Sequence, residues 1–255
     1  MVSRDSGFGA WGSARTVRDW GWKKKDWNPR TWGWALALLL PILAQGEVGL
    51  VGQTPAESLT IKVRVHDHAR LGPRPLNHAQ GEVTRLFLEM GILVHWIECP
   101  LAAAELDRYP ACQQPLGLTG LDVNIVTRSM AEGLALSSTT LGLTSMRQEG
   151  ERASVTAVFC DSVREQAHPG GDGFGQILGH AIAHELGHLL LRTSGHAPTG
   201  LMRARWSSED LRRAAWGQLG FTSEQVTVIR AEVAARAQLT AQRQPGSDNL
   251  TARVK

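Results

Sequence analysis

His184, Glu185 and His188 stand at positions i, i+1 and i+4 of the run His184-Glu185-Leu186-Gly187-His188. On a helix of 3.6 residues per turn, i and i+4 share a face, so the two imidazoles can close on one Zn²⁺ at about 2.0–2.1 Å. Glu185 then lies beside the cation, where a carboxylate can take a proton from water. Two solvent-facing histidines flanking a glutamate would be the bland alternative. The apolar helix around the run, released by the Gly-rich break Pro169-Gly170-Gly171-Asp172-Gly173, favours chemistry.

A catalytic zinc site needs a third protein ligand and keeps a fourth position for water. His196 is the leading candidate, because Arg192-Thr193-Ser194-Gly195 can end the helix and Gly195 offers the permissive backbone for a turn back to the metal. Glu209, or Asp210 beside it, is the alternative third ligand from a following helix, although a first-turn acid is also favoured by the helix dipole alone. His180 shares the face of His184 one turn earlier. Three residues spread over two turns converge poorly on one ion, so His180 is expected in the cleft or behind the ligands. The tight loop Ala197-Pro198-Thr199-Gly200-Leu201-Met202 presents a methionine, which could equally fill a gap in the core. His66, His68, His78, His95 and His168 are scattered and read as surface or satisfied polar residues. Tyr109, the only tyrosine, receives no role.

Those residues need a frame. Leu59 to His66 alternates apolar and polar, as a half-buried strand does. Leu76, Ala79, Val83, Leu86, Phe87 and Met90 recur at helical spacing, with Asn77 as N-cap and Gly91 as stop. Ile92–Glu98 reads as a second strand, parallel to the first across that helix. Leu121–Val126 and Ala153–Phe159 read as two more, and 129–150 as loop with a short strand. The metal-binding helix is expected from about Phe174 to Leu191. Ser207-Ser208-Glu209-Asp210 carries capping chemistry for a helix stopped by Gly220, and Thr222-Ser223-Glu224-Gln225 is a capping box opening a helix to about Ala237.

With 255 residues and 42% apolar content, the chain can build one catalytic domain. Residues 1–44 carry Arg4, Arg15, Arg18, Lys23, Lys24, Lys25 and Arg30 against Asp5, Asp19 and Asp26, so the remainder is near neutral and offers no nucleic-acid surface. The apolar run Trp32–Ala44 behind that basic stretch matches a secretory signal peptide and is short for a membrane span, with an uncleaved N-terminal anchor as the alternative. The organisation expected is a leader and signal peptide over 1–44, a linker or short pro-segment over 45–58, a catalytic domain over 59–238 and a disordered tail over 239–255. Export permits disulfides, and Cys99 with Cys112 is the expected pair. Cys160 is left as a buried free thiol.

Taken together, His184-Glu185-Leu186-Gly187-His188, His196 and Met202 resemble the metzincin-type zinc endopeptidases, in which a third histidine follows the helix and a Met-turn underlies the metal. Such enzymes usually read HExxHxxGxxH. Leu191 and Ser194 occupy those later positions here, so His196 arrives two residues late and Met202 follows early. The resemblance implies an α/β (α+β zincin-like) fold, with a small mixed twisted sheet, a backing helix, an active-site helix and a short helical C-terminal part. It implies a peptidase that uses Zn²⁺ and Glu185 as general base on a peptide or protein substrate, and with the signal-peptide reading the expectation is an exported monomer. The alternative is a zinc-binding, non-hydrolytic exported or cell-surface interaction protein.

Overall fold

The computed structural model describes residues 58–131, 140–144, 154–167 and 173–243. The leader and signal peptide, most of the linker, His168 and the end of the tail lie outside the described residues. Strand β1 (Leu59–Asp67) leads to helix α1 (Pro73–Glu89) and strand β2 (Ile92–Glu98). A 3₁₀ turn and the one-turn helix α2 (Pro110–Gln113) precede strand β3 (Gly120–Val126). Next come β4 (Gly142–Thr144), β5 (Val155–Phe159), α3 (Cys160–Gln166), α4 (Phe174–Leu191), α5 (Ser208–Ala215) and α6 (Ser223–Arg243).

The five strands form one mixed sheet in the order β2-β1-β3-β5-β4. Neighbours run parallel except β4, which pairs antiparallel with β5 through Gly142↔Val158 and Thr144↔Thr156. Ile61, Val63 and Val65 of β1 and Leu121, Val123 and Ile125 of β3 are fully or almost fully buried and meet Leu178, Ile182, Leu186 and Leu189 of α4 in one core. Val83, Leu86 and Phe87 of α1 complete that layer at helical spacing. Helix α4 is buried on nearly every side, as expected for a helix apolar all round. Its C-terminal end is held by the buried Arg236 of α6, whose Nη2 donates to Leu189 O at 3.0 Å. This is the mixed α/β architecture expected. No helix among the described residues is long and apolar enough to cross a membrane.

Several local expectations need correction. Helix α1 starts at Pro73, after Gly72 with φ 80°, so Asn77 lies inside the helix and caps nothing. Proline at the first helical position, with φ already set, opens the helix without a side-chain cap. Helix α3 begins where β5 ends and has no counterpart in the sequence reading. Helix α5 stops before Gly217, which takes φ 67°, rather than at Gly220. Its capping box is formed by Ser207 and Asp210 as expected, and Thr222 and Gln225 cap α6, which runs past Ala237 to Arg243. Cys99 and Cys112 are joined in a disulfide with Cα atoms 5.7 Å apart, tying the end of β2 to α2, while Cys160 is a buried free thiol.

Candidate metal centre

Helix α4 places His184 and Glu185 in the lining of a cleft of about 440 Å³ that also takes in Thr140–Leu143, His196 and Arg203–Trp206, with His188 one turn further along the helix. His184 Nδ1 lies 2.7 Å from Leu201 O and His188 Nδ1 2.8 Å from Thr193 O. A carbonyl can only accept, so both rings carry their proton on Nδ1 and donate it there. Their Nε2 lone pairs are left facing each other 3.1 Å apart. Two lone pairs at that separation repel unless a cation lies between them, and two nitrogens bound tetrahedrally at about 2.0–2.1 Å are themselves roughly 3.3 Å apart.

After α4 the chain turns back at Arg192, which adopts the left-handed conformation with φ 54°, rather than at Gly195. The turn returns His196 to the site. Its ring centroid is 5.4 Å from that of His184 and 4.8 Å from that of His188. One ligand atom from each of the three histidines falls within 4.8 Å of the others. Burial holds His184 down to about 4, and burial likewise lowers His188 and His196, so all three rings are neutral at pH 7, the form that binds metal. The three imidazoles are therefore a donor set that could hold a metal ion.

Glu209 lies elsewhere. It is exposed on α5 and pairs with Arg212 Nη2 at 2.7 Å. Asp210 accepts from Ser207 and from Arg203 Nη1 at 2.6 Å. His180 is fully buried rather than in the cleft, with Nδ1 donating to Gln176 O at 2.8 Å and Nε2 3.3 Å from Glu82 Oε1. Met202 is buried beneath α4, its Sδ only 2.6 Å from where a Cβ on Gly187 would sit, so the glycine of the motif is what lets the methionine approach.

Glu185 is 4% exposed. Thr144 Oγ1 donates to its Oε2 at 2.6 Å, and Thr156 Oγ1 stands 3.4 Å from the same oxygen. Burial pushes the carboxyl up to about 7 against these two hydrogen bonds. Oε1 faces Gly142, where an added Cβ would lie 2.5 Å from it. Neither threonine was singled out in the sequence. Thr156 gives the clearer signal, being a polar residue on the inward face of β5, 2% exposed between apolar neighbours.

Trp206 was also missed. Its Nε1–H donates at 3.1 Å to Leu201 O, the same carbonyl that orients His184, and its ring meets the His184 ring edge-on at 6.1 Å. One backbone oxygen thus fixes both the His184 imidazole and Trp206 of the cleft wall.

Fold and site together define an α/β domain with three convergent neutral imidazoles and a buried glutamate opening on a cleft. No protein-family model and no curated protein matches the chain. Among solved structures, archaemetzincin from Methanopyrus kandleri is similar at 15% identity, over 71% of this chain and 99% of that one, with a TM-score of 0.43.

Proposed function

We propose that this protein is an exported zinc-dependent peptidase in which His184, His188 and His196 hold the metal and Glu185 is the general base. The observation that carries the reading is the pair of Nε2 lone pairs 3.1 Å apart, with His196 and a buried carboxylate converging on the same cleft. Zinc bound there supplies Lewis acidity, which polarises a carbonyl and acidifies water. Leu201 O and Thr193 O fix the tautomer that leaves Nε2 free on each imidazole. Thr144 and Thr156 hold Oε2 of Glu185, leaving Oε1 to take the proton of the attacking water and pass it to the leaving amine. A carboxyl near neutrality suits both transfers. Among the described residues no strand pairs with the outer edge of β4, so an extended peptide can add there beside Gly142 and Leu143, both of which line the cleft. The Cys99–Cys112 disulfide supports the export reading.

Incubation of the zinc-loaded protein with casein and a peptide library tests this directly. Cleavage that stops with 1,10-phenanthroline and returns with zinc is expected. Cleavage indifferent to the chelator contradicts the reading, and zinc uptake without turnover makes the protein a metal-binding interaction module instead. A second test uses Gly142→Ala, which places a methyl against the Glu185 carboxylate. Zinc content is expected to stay unchanged while kcat/KM falls by about 10–100-fold, since a misplacement of the order of 1 Å costs about that much. Unchanged kcat/KM would mean that Glu185 works from another position.

A further inference from the structure

The cleft beside the imidazoles is lopsided in charge. Its β4 wall, Thr140 to Leu143, is uncharged. Glu185 is buried in the same lining, which also carries two guanidinium groups, Arg203 and Arg205. Arg203 is engaged through Nη1 with Asp210 at 2.6 Å, and Asp210 is itself committed to Ser207 at the start of α5. Arg205 is exposed and has no hydrogen bond or ion pair among the described residues.

The segment that carries Arg205 is held on both flanks. Ala197 N–H donates to Met202 O at 2.8 Å and Arg203 is tied to Asp210, while on the other side Trp206 Nε1–H donates to Leu201 O. Trp206 is in ring contact with His184, so Arg205 is one residue from a side chain packed on a metal-binding imidazole. A guanidinium offers its N–H groups as a planar fork that matches a carboxylate in two parallel hydrogen bonds. An arginine with all its donors open, on an anchored segment at the rim of a cleft without a competing rim charge among the described residues, is a carboxylate receptor by its chemistry.

We propose that Arg205, with Arg203 beside it, forms a carboxylate-recognition subsite next to the hydrolytic centre, selecting peptides that bring an acidic side chain or a free C-terminal carboxylate close to the scissile bond. The proposal rests on the peptidase reading and extends it from a reaction to a class of substrate.

The test uses fluorogenic octapeptides carrying Asp, Asn or Lys at each position flanking the scissile bond, and an all-neutral octapeptide made as free acid and as amide. Turnover is measured with the zinc-loaded protein, and binding with zinc-loaded Glu185→Gln, which holds peptide without cutting it. Asp peptides, or the free acid, are expected to exceed their neutral counterparts by about tenfold in kcat/KM and in affinity, the worth of one charge-assisted contact. In Arg205→Gln the ratio falls to about one, and Arg205→Glu turns the preference toward Lys. A preference confined to Asp positions identifies a side-chain subsite, and one confined to the free acid identifies the C-terminal carboxylate. Cleavage with no carboxylate preference, or with one that neither Arg205 variant moves, overturns the subsite and leaves the peptidase reading standing. Carboxylate-dependent binding with no cleavage does the reverse. Neither binding nor cleavage overturns both.

Discussion

Glu185→Gln is expected to lower hydrolysis by about 10²–10⁴-fold while zinc content stays unchanged. The amide keeps the shape of the carboxyl and can still accept from Thr144, whose Oγ1 lies 2.6 Å from Oε2, so the loss reads the proton transfer rather than a collapsed site. Zinc titration by a chromophoric chelator beside peptide turnover checks both halves, and retained cleavage at full zinc occupancy would remove Glu185 from the mechanism. The same substitution has a second signature in the metal-free protein. The folded carboxyl holds its proton up to about pH 7 against an ordinary value of 4.5, so its charged form costs folding stability above pH 7. That cost shrinks as pH falls from about 7 to 4.5 and vanishes below, and it amounts to on the order of 3 kcal/mol where fully present. Glu185→Gln is therefore expected to raise the melting temperature of the apoprotein at pH 8 and to leave it unchanged near pH 4.

His196→Ala is expected to weaken zinc binding by more than about 100-fold, beyond what losing a mere hydrogen-bonding partner of a ligand costs. Glu209→Ala is expected to leave zinc affinity unaltered, because that carboxylate is exposed and pairs with Arg212 on its own helix. The comparison is sharp because both residues lie outside α4 and both satisfy the sequence requirement for a third ligand. Competition against a chelator of known affinity reads each variant. Equal affinities for His196→Ala and the unmodified protein would move the third ligand elsewhere.

What the sequence made legible follows physical reach. His184 and His188 could be paired on paper because helical geometry alone puts i and i+4 together, and β1 because its alternation spans a whole strand. The caps of α5 and α6 were readable because Ser207 with Asp210 and Thr222 with Gln225 act within three residues. Helix α3 was not, since seven residues are too few to show a period and no Gly or Pro separates Phe159 from Cys160. The turn at Arg192 was assigned to Gly195 because a left-handed arginine leaves no mark in a sequence. The partners of the histidines were invisible for a stronger reason. Leu201 and Thr193 act through backbone oxygens, which every residue carries. Thr144 reaches Glu185 only through the β4–β5 register, a long-range pairing that local patterns do not encode.

Thr193 is bound to His188 twice, its N–H to His188 O at 3.3 Å and its carbonyl to His188 Nδ1 at 2.8 Å. Ala197, just past His196, is fastened in turn to Met202. The backbone bearing the third imidazole therefore has a short span of free chain on one side and none on the other, and loop-closure entropy grows with the length of free chain. Capturing a cation freezes little that was moving. With zinc held as proposed, slow release is the expected consequence, read as slow exchange with a competing chelator.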